Sequence, residues 1–188
     1  MSEQPRPVGA AGPTDRVLAL EPPAASESEL DVLSAEHVSG GFEDYGDGPF
    51  DELPRGLVRG LLRRVVDGEV LGSMSWHLVS YGPTVGSRAW NTGIWLRPAH
   101  RGLGYGAAAQ RLLARHLLAT TDVQRVEAST DVDNVAERRA LERAGFTLDG
   151  VLRGAQERMG ERRDLAVYAV LRSDLGDLDS PDEGLVVG

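Results

Sequence analysis

The sequence predicts a mixed α/β fold, a sheet flanked by helices. Apolar runs of strand length, such as Leu61–Val66, Val70–Val79 and Ala89–Leu96, are set apart by Gly, Pro and Asp turn signals. Helical spacing appears between the later runs, clearest where Ala109, Leu112, Leu113, His116 and Leu117 share one face. A chain of 188 residues holds one such core and little more.

In chain order, Arg16–Leu20 suits a first strand, stopped by Pro22-Pro23. Ser26 then caps a short helix carrying Leu30, Leu33 and His37. Gly40–Pro49, rich in Gly, Asp and aromatics, reads as a loop, and Phe50–Arg59 as another short helix. Asp67-Gly68 between two strand-like runs predicts a two-residue type I′ hairpin. After the Gly/Pro loop Tyr81–Arg88, the third strand ends at Arg97-Pro98, where proline continues neither ladder nor helix. The next helix begins in glycines and ends near Ala119. Val123–Ser129 is a strand, and Thr130–Asp133 a turn. Asn134 with Glu137 forms a capping-box pattern for a helix that Gly145 closes. Phe146–Leu152 and Leu165–Leu171 form a closing antiparallel pair, with the polar Arg153–Asp164 between them. Residues 1–14 read as a flexible tail, 15–173 as the domain, and 174–188 as an acidic tail.

Composition narrows the function. A net charge of −9 argues against a groove that tracks nucleic-acid phosphates and mildly favours cationic partners such as amines, although an acidic surface more often serves solubility alone. No apolar run has the length to cross a bilayer, and the N-terminus has no secretory-signal pattern, so the expected location is cytoplasmic. The absence of cysteine excludes disulfides, thiolate metal sites and cysteine nucleophiles, and the four histidines lack ligand spacing, so no metal is expected.

The sharpest local feature is Arg101-Gly102-Leu103-Gly104-Tyr105-Gly106, between a strand and a helix. Backbone N–H groups at a helix start lack intrahelical partners, and the helix dipole adds positive potential there. Glycines let an anion approach the main chain, and Arg101 adds a full charge. The alternatives are a glycine turn that only links strand to helix and a dinucleotide fingerprint, since Gly102-x-Gly104-x-x-Ala107 matches G-x-G-x-x-A. Against the fingerprint, Pro98–Arg101 separates the glycines from the strand and no second nucleotide-binding half follows. A Walker loop is excluded, because Gly106-Ala107-Ala108 stands where Gly-Lys-Ser/Thr is required.

Ile94-Trp95-Leu96-Arg97-Pro98-x-x-Arg101-Gly102-x-Gly104-Tyr105-Gly106, then Asn134-x-Ala136, then Ala144-Gly145-Phe146 through Arg153, together resemble the GNAT superfamily of N-acetyltransferases. The resemblance is nearest to the branch of ribosomal-protein alanine N-acetyltransferases (RimJ/RimL-like) and runs from about Val70 to Arg172. It implies the GNAT fold: a mostly antiparallel twisted sheet with a splayed parallel strand pair and helices on both faces. It also implies acetyl-CoA as co-substrate and direct attack by a primary amine in a ternary complex. The acceptor would be a peptide or protein N-terminus if the nearest branch guides. Small-molecule acceptors (antibiotic, polyamine or amino acid), another acyl donor, or a coenzyme A-binding module with weak chemistry are the alternatives. Relatives often pair as homodimers.

By the same resemblance, Ile94, Trp95 and Leu96 bond the pantetheine arm through their backbone, Arg101, Gly102, Leu103, Gly104, Tyr105 and Gly106 hold the pyrophosphate, and Asn134 contacts the pantetheine. Their structural alternatives are core packing for Ile94 and Leu96 and a helix cap for Asn134. Glu127 stands where some relatives place a general-base glutamate, acting directly or through water; the alternative is a solvent-facing carboxylate paired with Arg125 or Arg139. His77, Ser129 and Asp131 are weaker candidates with no motif behind them. Many GNAT enzymes protonate the leaving thiolate with a tyrosine, but Leu141 occupies that position here. Where the ribosomal-protein branch can have a serine and a late glutamate, this chain has Glu137 and Gln156. Tyr168 reads as core and Tyr105 as helix surface or loop packing. Of Trp76, Trp90 and Trp95, one or two are candidates to line the acceptor groove.

Overall fold

The computed structural model describes residues 18–21, 27–36, 41–42, 44–45, 52–178 and 185–187. Its strands are β1 (Leu18–Glu21), β2 (Val58–Arg64), β3 (Val70–Ser80), β4 (Arg88–Leu96), β5 (Arg125–Asp131), β6 (Thr147–Arg158), β7 (Glu161–Leu171) and β8 (Leu185–Val187). The helices are α1 (Glu27–Ala35), α2 (Tyr105–Thr120) and α3 (Val135–Arg143). The strands form one sheet in the order β6-β7-β5-β4-β3-β2-β1-β8. All neighbours are antiparallel except β4–β5 and β1–β8. Among the described residues no helix is long and apolar enough to cross a membrane.

Strand alternation divides the core between the two faces. Leu62 of β2 and Val126 and Ala128 of β5 join Leu112, Leu113 and Leu117 of α2 and Leu141 of α3 in the larger cluster. Leu61, next to Leu62, points the other way and packs with Leu30 and Leu33 of α1, against Val70 and Trp95. Helices therefore cover both faces, as the resemblance implied. The predicted α2 face is broader than expected. Tyr105, Ala108 and Gln110 are buried too, so Tyr105 is core rather than surface, its hydroxyl accepting from Arg64 Nη1 at 3.1 Å.

Several local expectations need correction. Residues 52–57 form no helix, and β2 starts at Val58, within the stretch read as helical; Pro54 and Gly56, the latter at φ +70°, break a helix there. Phe50, like Ser26, His37 and most of Gly40–Pro49, lies outside the described residues. The β2–β3 connection is a four-residue loop, Val65–Gly68, closed by Arg64 N–H to the Glu69 carbonyl (2.9 Å) and Gly68 N–H to the Arg64 carbonyl (2.8 Å). A type I′ turn needs positive φ at both central residues, and only Gly68 (φ +72°) supplies it. Asp67 instead uses its carboxylate to accept from Arg64 Nε (3.0 Å) and Glu69 N–H (3.1 Å). β5 runs two residues past the expected end, to Asp131, paired there with Leu165. The polar Arg153–Asp164 stretch is no separate connection but the tip of the β6–β7 hairpin, turned at Met159 (φ +51°) and Gly160 (φ +78°). Its polarity serves both water and the interior, since Arg158 and Arg163 reach the buried Asp131 carboxylate. Within 174–188, Leu185–Val187 lies parallel to β1 at the sheet edge.

Candidate active site

β4 and β5 are paired only at Trp90↔Val126 and Asn91↔Glu127, although β4 continues to Leu96 and β5 to Asp131. Beyond that rung the strands part. Thr92 Oγ1 donates to the Glu127 carbonyl at 3.2 Å at the apex. A cavity of about 230 Å³ opens beyond it, with Gly93, Ile94 and Trp95 on one wall and Ser129, Asp131 and Asn134 on the other. Main-chain groups of β4 that would ordinarily bond a neighbouring strand are thereby turned toward the cavity. Gly72 of β3 helps shape that wall, since a Cβ there would collide with the Trp95 carbonyl oxygen.

The glycine loop adjoins this cleft. Gly102 (φ +74°) and Gly104 (φ +90°) are left-handed, and a Cβ added at either would meet nothing within 4 Å, so both face open space. The α2 ladder opens with Ala108 N–H to the Gly104 carbonyl (3.2 Å), which leaves the amides of Tyr105, Gly106 and Ala107 ahead of it. Gly106 sits between β4 and α3: its Cβ would lie 3.7 Å from Leu96 and 3.8 Å from Ala140. Arg101 is braced by Nε donating to the Leu96 carbonyl (2.9 Å) and lies over the Trp95 ring at 6.0 Å. Open left-handed glycines, amides ahead of a helix ladder and an arginine make a fitting cradle for a diphosphate. Tyr105 belongs to it through its backbone alone, since its ring is buried.

Asn134 caps α3, accepting the Glu137 N–H at 3.2 Å, and lines the cavity as well. The capping box is only half made, because Asn134 N–H donates to the Asp131 carbonyl (2.9 Å). The Glu137 carboxyl turns instead toward Gln110 and the cavity, and burial, opposed by the Gln110 hydrogen bond, pushes it up from 4.5 to about 7. Leu141 is fully buried in the main core.

Glu127 is 4 % exposed, so it does not face solvent, but it does pair with Arg125 as its structural alternative held. Its carboxylate accepts from the Tyr81 hydroxyl (2.8 and 2.7 Å to its two oxygens), Arg125 Nε (2.9 Å) and Asn91 Nδ2 (3.4 Å). Burial, then the bond to Glu127, pushes the Tyr81 phenol up. His77, beside Asn91 in the β3–β4 ladder, is pushed down by burial, with Glu127 opposing. Tyr81 and Arg125 also line a second groove, of about 670 Å³, with Asp149 and Leu152.

Asp131, with a fully buried side chain, accepts from Arg158 Nη1 and Arg163 Nε, each at 2.8 Å, and from Asp133 N–H at 2.8 Å. Burial would raise its pKa, but the bonds from Arg163, Asp133 N–H and Arg158 outweigh burial and hold it below the usual carboxylate range. Arg158 lies over the rings of Phe42 (5.3 Å) and Tyr45 (5.9 Å), so the hairpin tip and these two residues close one side of the cavity. Trp95 lines the cavity, whereas Trp76 and Trp90 pack against the main core and Trp90 Nε1 donates to Thr121 Oγ1 at 3.2 Å. Tyr168 is core, donating to Glu142 Oε1 (3.0 Å). Tyr81 and Arg158 carried no signal in the sequence, because both reach the site by long-range pairing.

Residues 55–147 match the family described as "Acetyltransferase (GNAT) domain". The Bacillus subtilis (strain 168) protein named "Probable N-acetyltransferase YjcK" is 33% identical over 82 residues, which are 44% of this chain and 45% of that protein. The chain thus covers less than half the length of this curated relative. The solved structure of RimL, titled a ribosomal L7/L12 alpha-N-protein acetyltransferase in complex with coenzyme A, is 25% identical at a TM-score of 0.54, covering 61% of this chain and 62% of that one. Spermidine/spermine N-acetyltransferase SpeG from Vibrio cholerae superposes at a TM-score of 0.66 over 89% of this chain and 99% of its own, at 15% identity, a likeness of fold alone. Splayed strands, glycine loop and family match agree over the stretch 55–147, which matches a GNAT acetyltransferase domain.

Proposed function

We propose that this chain transfers an acetyl group from acetyl-CoA to a primary amine, the N-terminus of a peptide or protein, by direct attack with donor and acceptor bound together. The parting of β4 and β5 after Asn91↔Glu127, with a cradle for a diphosphate beside it, is the observation that carries the reading. The loop from Arg101 to Gly106 holds the pyrophosphate, the backbone of Ile94–Leu96 and the side of Asn134 hold the pantetheine, and the bound donor supplies the activated acetyl carbonyl. Holding amine and carbonyl together at the apex provides most of the acceleration. Glu127, whose carbonyl takes the Thr92 hydroxyl at the apex, accepts the amine proton directly or through water.

The choice of a peptide over a polyamine rests on charge. Among the described residues the cavity presents the carboxyls Asp131 and Glu137. Arg158 and Arg163 already neutralise the first, and burial disfavours ionisation of the second. A polycation would need uncompensated negative charge there. Likeness to RimL, a protein N-terminal acetyltransferase by its title, points the same way.

Thiol release from acetyl-CoA, followed with a panel of peptides and of small amines, tests the reading. Turnover with peptides is expected. Turnover confined to small amines would replace the acceptor, and coenzyme A binding without any turnover would replace catalysis by binding.

A further inference from the structure

We propose that Glu137 is the proton donor to the departing thiolate, taking over the task of the tyrosine whose position Leu141 occupies in this chain. The inference rests on the acetyl-transfer reading above and adds to it the residue that completes the proton balance.

Placement comes first. Glu137 lies in the first turn of α3, three residues after the cap Asn134, and its side chain lines the cavity that separates Ile94 and Trp95 from the β5 wall. The glycine loop and this turn are neighbours through Gly106 and Ala140, so a chain running from the diphosphate cradle into the cleft passes α3 before it reaches the apex. The other titratable and charged groups lining the cavity are committed elsewhere. From β5, Asp131 is held by Arg158 of β6 and Arg163 of β7. Tyr45, on the far side with Arg158, is stacked against that guanidinium. The β4 wall, Thr92 to Trp95, has no group that titrates, and the α2 side chain that bonds Glu137 is the neutral Gln110. Among the described residues Glu137 therefore bears the one carboxyl lining the cavity with no cation beside it. Its elevation to about 7 keeps a substantial protonated fraction at neutral pH, as a general acid requires.

The step balances. The amine nitrogen forms a bond to the carbonyl carbon, the carbon–sulfur bond breaks, and its electron pair stays on sulfur. The Glu137 carboxyl proton moves to that sulfur, giving the free thiol, and Glu137 is left as carboxylate. The proton lost by the acylated nitrogen returns through solvent to Glu137, so no outside reductant or acid is consumed.

Three readouts on the full chain test the idea, with coenzyme A itself as the probe for the first two. Calorimetry is expected to show coenzyme A binding to wild type and to Glu137→Gln within about threefold of each other, since the residue does not hold the diphosphate. The ionisation of the bound thiol, followed by thiolate absorbance, is expected to occur at higher pH in wild type than in Glu137→Gln, because an ionised carboxylate beside sulfur opposes a second negative charge. With an acceptor from the panel, kcat is expected to fall as pH rises through about 7 in wild type. In Glu137→Gln that descending limb disappears and kcat drops about a hundredfold, while KM for acetyl-CoA stays level. Identical thiol titrations in the two proteins would overturn the proposal, as would an ascending limb near pH 7 that the substitution removes, the signature of a base. Failure of both proteins to bind coenzyme A would sink the acetyl-transfer reading along with it, and so is told apart from failure of Glu137 alone.

Discussion

The half-buried Glu137 couples stability to pH in a way that can be worked out beforehand. Its carboxyl is pushed from 4.5 to about 7 by burial, with the Gln110 bond opposing. A carboxyl raised in the folded state stabilises the fold fully below the unfolded value and loses that contribution as pH rises through the folded value. At about 1.4 kcal/mol per pH unit, the gap from 4.5 to about 7 amounts to roughly 3 kcal/mol in total. Titration of the unfolded chain uses part of this below pH 5.5, so about 2 kcal/mol falls between pH 5.5 and 8.5. Residual solvent contact screens the charge, which makes a measured change of about 1 to 2 kcal/mol the expectation. Glu137→Gln cannot ionise and keeps the shape. The assay is urea unfolding of both proteins by tryptophan fluorescence across that window, which stays above the isoelectric point of about 4.9. The wild type must lose stability relative to the variant as pH rises. A difference that is flat across the window, or that grows in favour of wild type at alkaline pH, refutes the assignment of a buried, uncompensated carboxyl.

Other outcomes follow from the same geometry. Gly104→Leu forces a branched residue to φ +90°, costing about 1 to 2 kcal/mol and a few degrees of Tm, and fills open space in the cradle; the coenzyme A dissociation constant should rise more than tenfold in calorimetry, and unchanged affinity would remove the loop from the site. Glu127→Gln should lower kcat and shift its pH profile with coenzyme A affinity preserved, while replacing the charge-assisted bond from Arg125 costs about 1 to 2 kcal/mol in urea unfolding; a pH profile identical to wild type would reduce Glu127 to a structural anchor for Tyr81 and Arg125. Asp131→Asn leaves Arg158 and Arg163 with a neutral partner in a buried setting and should cost about 2 to 4 kcal/mol. The carboxylate's own contribution, present above its unfolded pKa, should be lost only as pH falls through its depressed folded value; equal stability of the two proteins at pH 7 would show that the network stores no energy.

The parts of the site legible in the sequence are those whose chemistry is local. Gly102 and Gly104 are read directly because a left-handed backbone facing open space admits few other residues. Asn134 and Gly145 are read because helix ends need a cap at a fixed offset. Periodicity fails where the two states share it. The Phe50–Arg59 stretch reads as a short helix, yet its last two residues, Val58 and Arg59, open a strand whose neighbours on both sides are supplied from elsewhere in the chain. Likewise the polar run Arg153–Asp164 looks like a loop because its less exposed positions, Gly154, Gln156 and Arg158, are not apolar, so the alternation carries no hydrophobic signal.

The groups that move protons are the ones the sequence leaves undetermined, and the reason is energetic. An acid's behaviour depends on what desolvates it and which charges reach it, and those neighbours come from distant segments. Glu127 lies 46 residues from Tyr81, and the two meet only because β3 and β5 flank β4. Glu137 is announced in sequence as half of a capping box, a surface role. It becomes a cleft residue because β5 ends against it, so that the Asp131 carbonyl takes the Asn134 N–H that Glu137 would otherwise have bonded. That single displaced hydrogen bond turns a helix cap toward the cavity and leaves its carboxyl partly dry, with an amide as its neighbour.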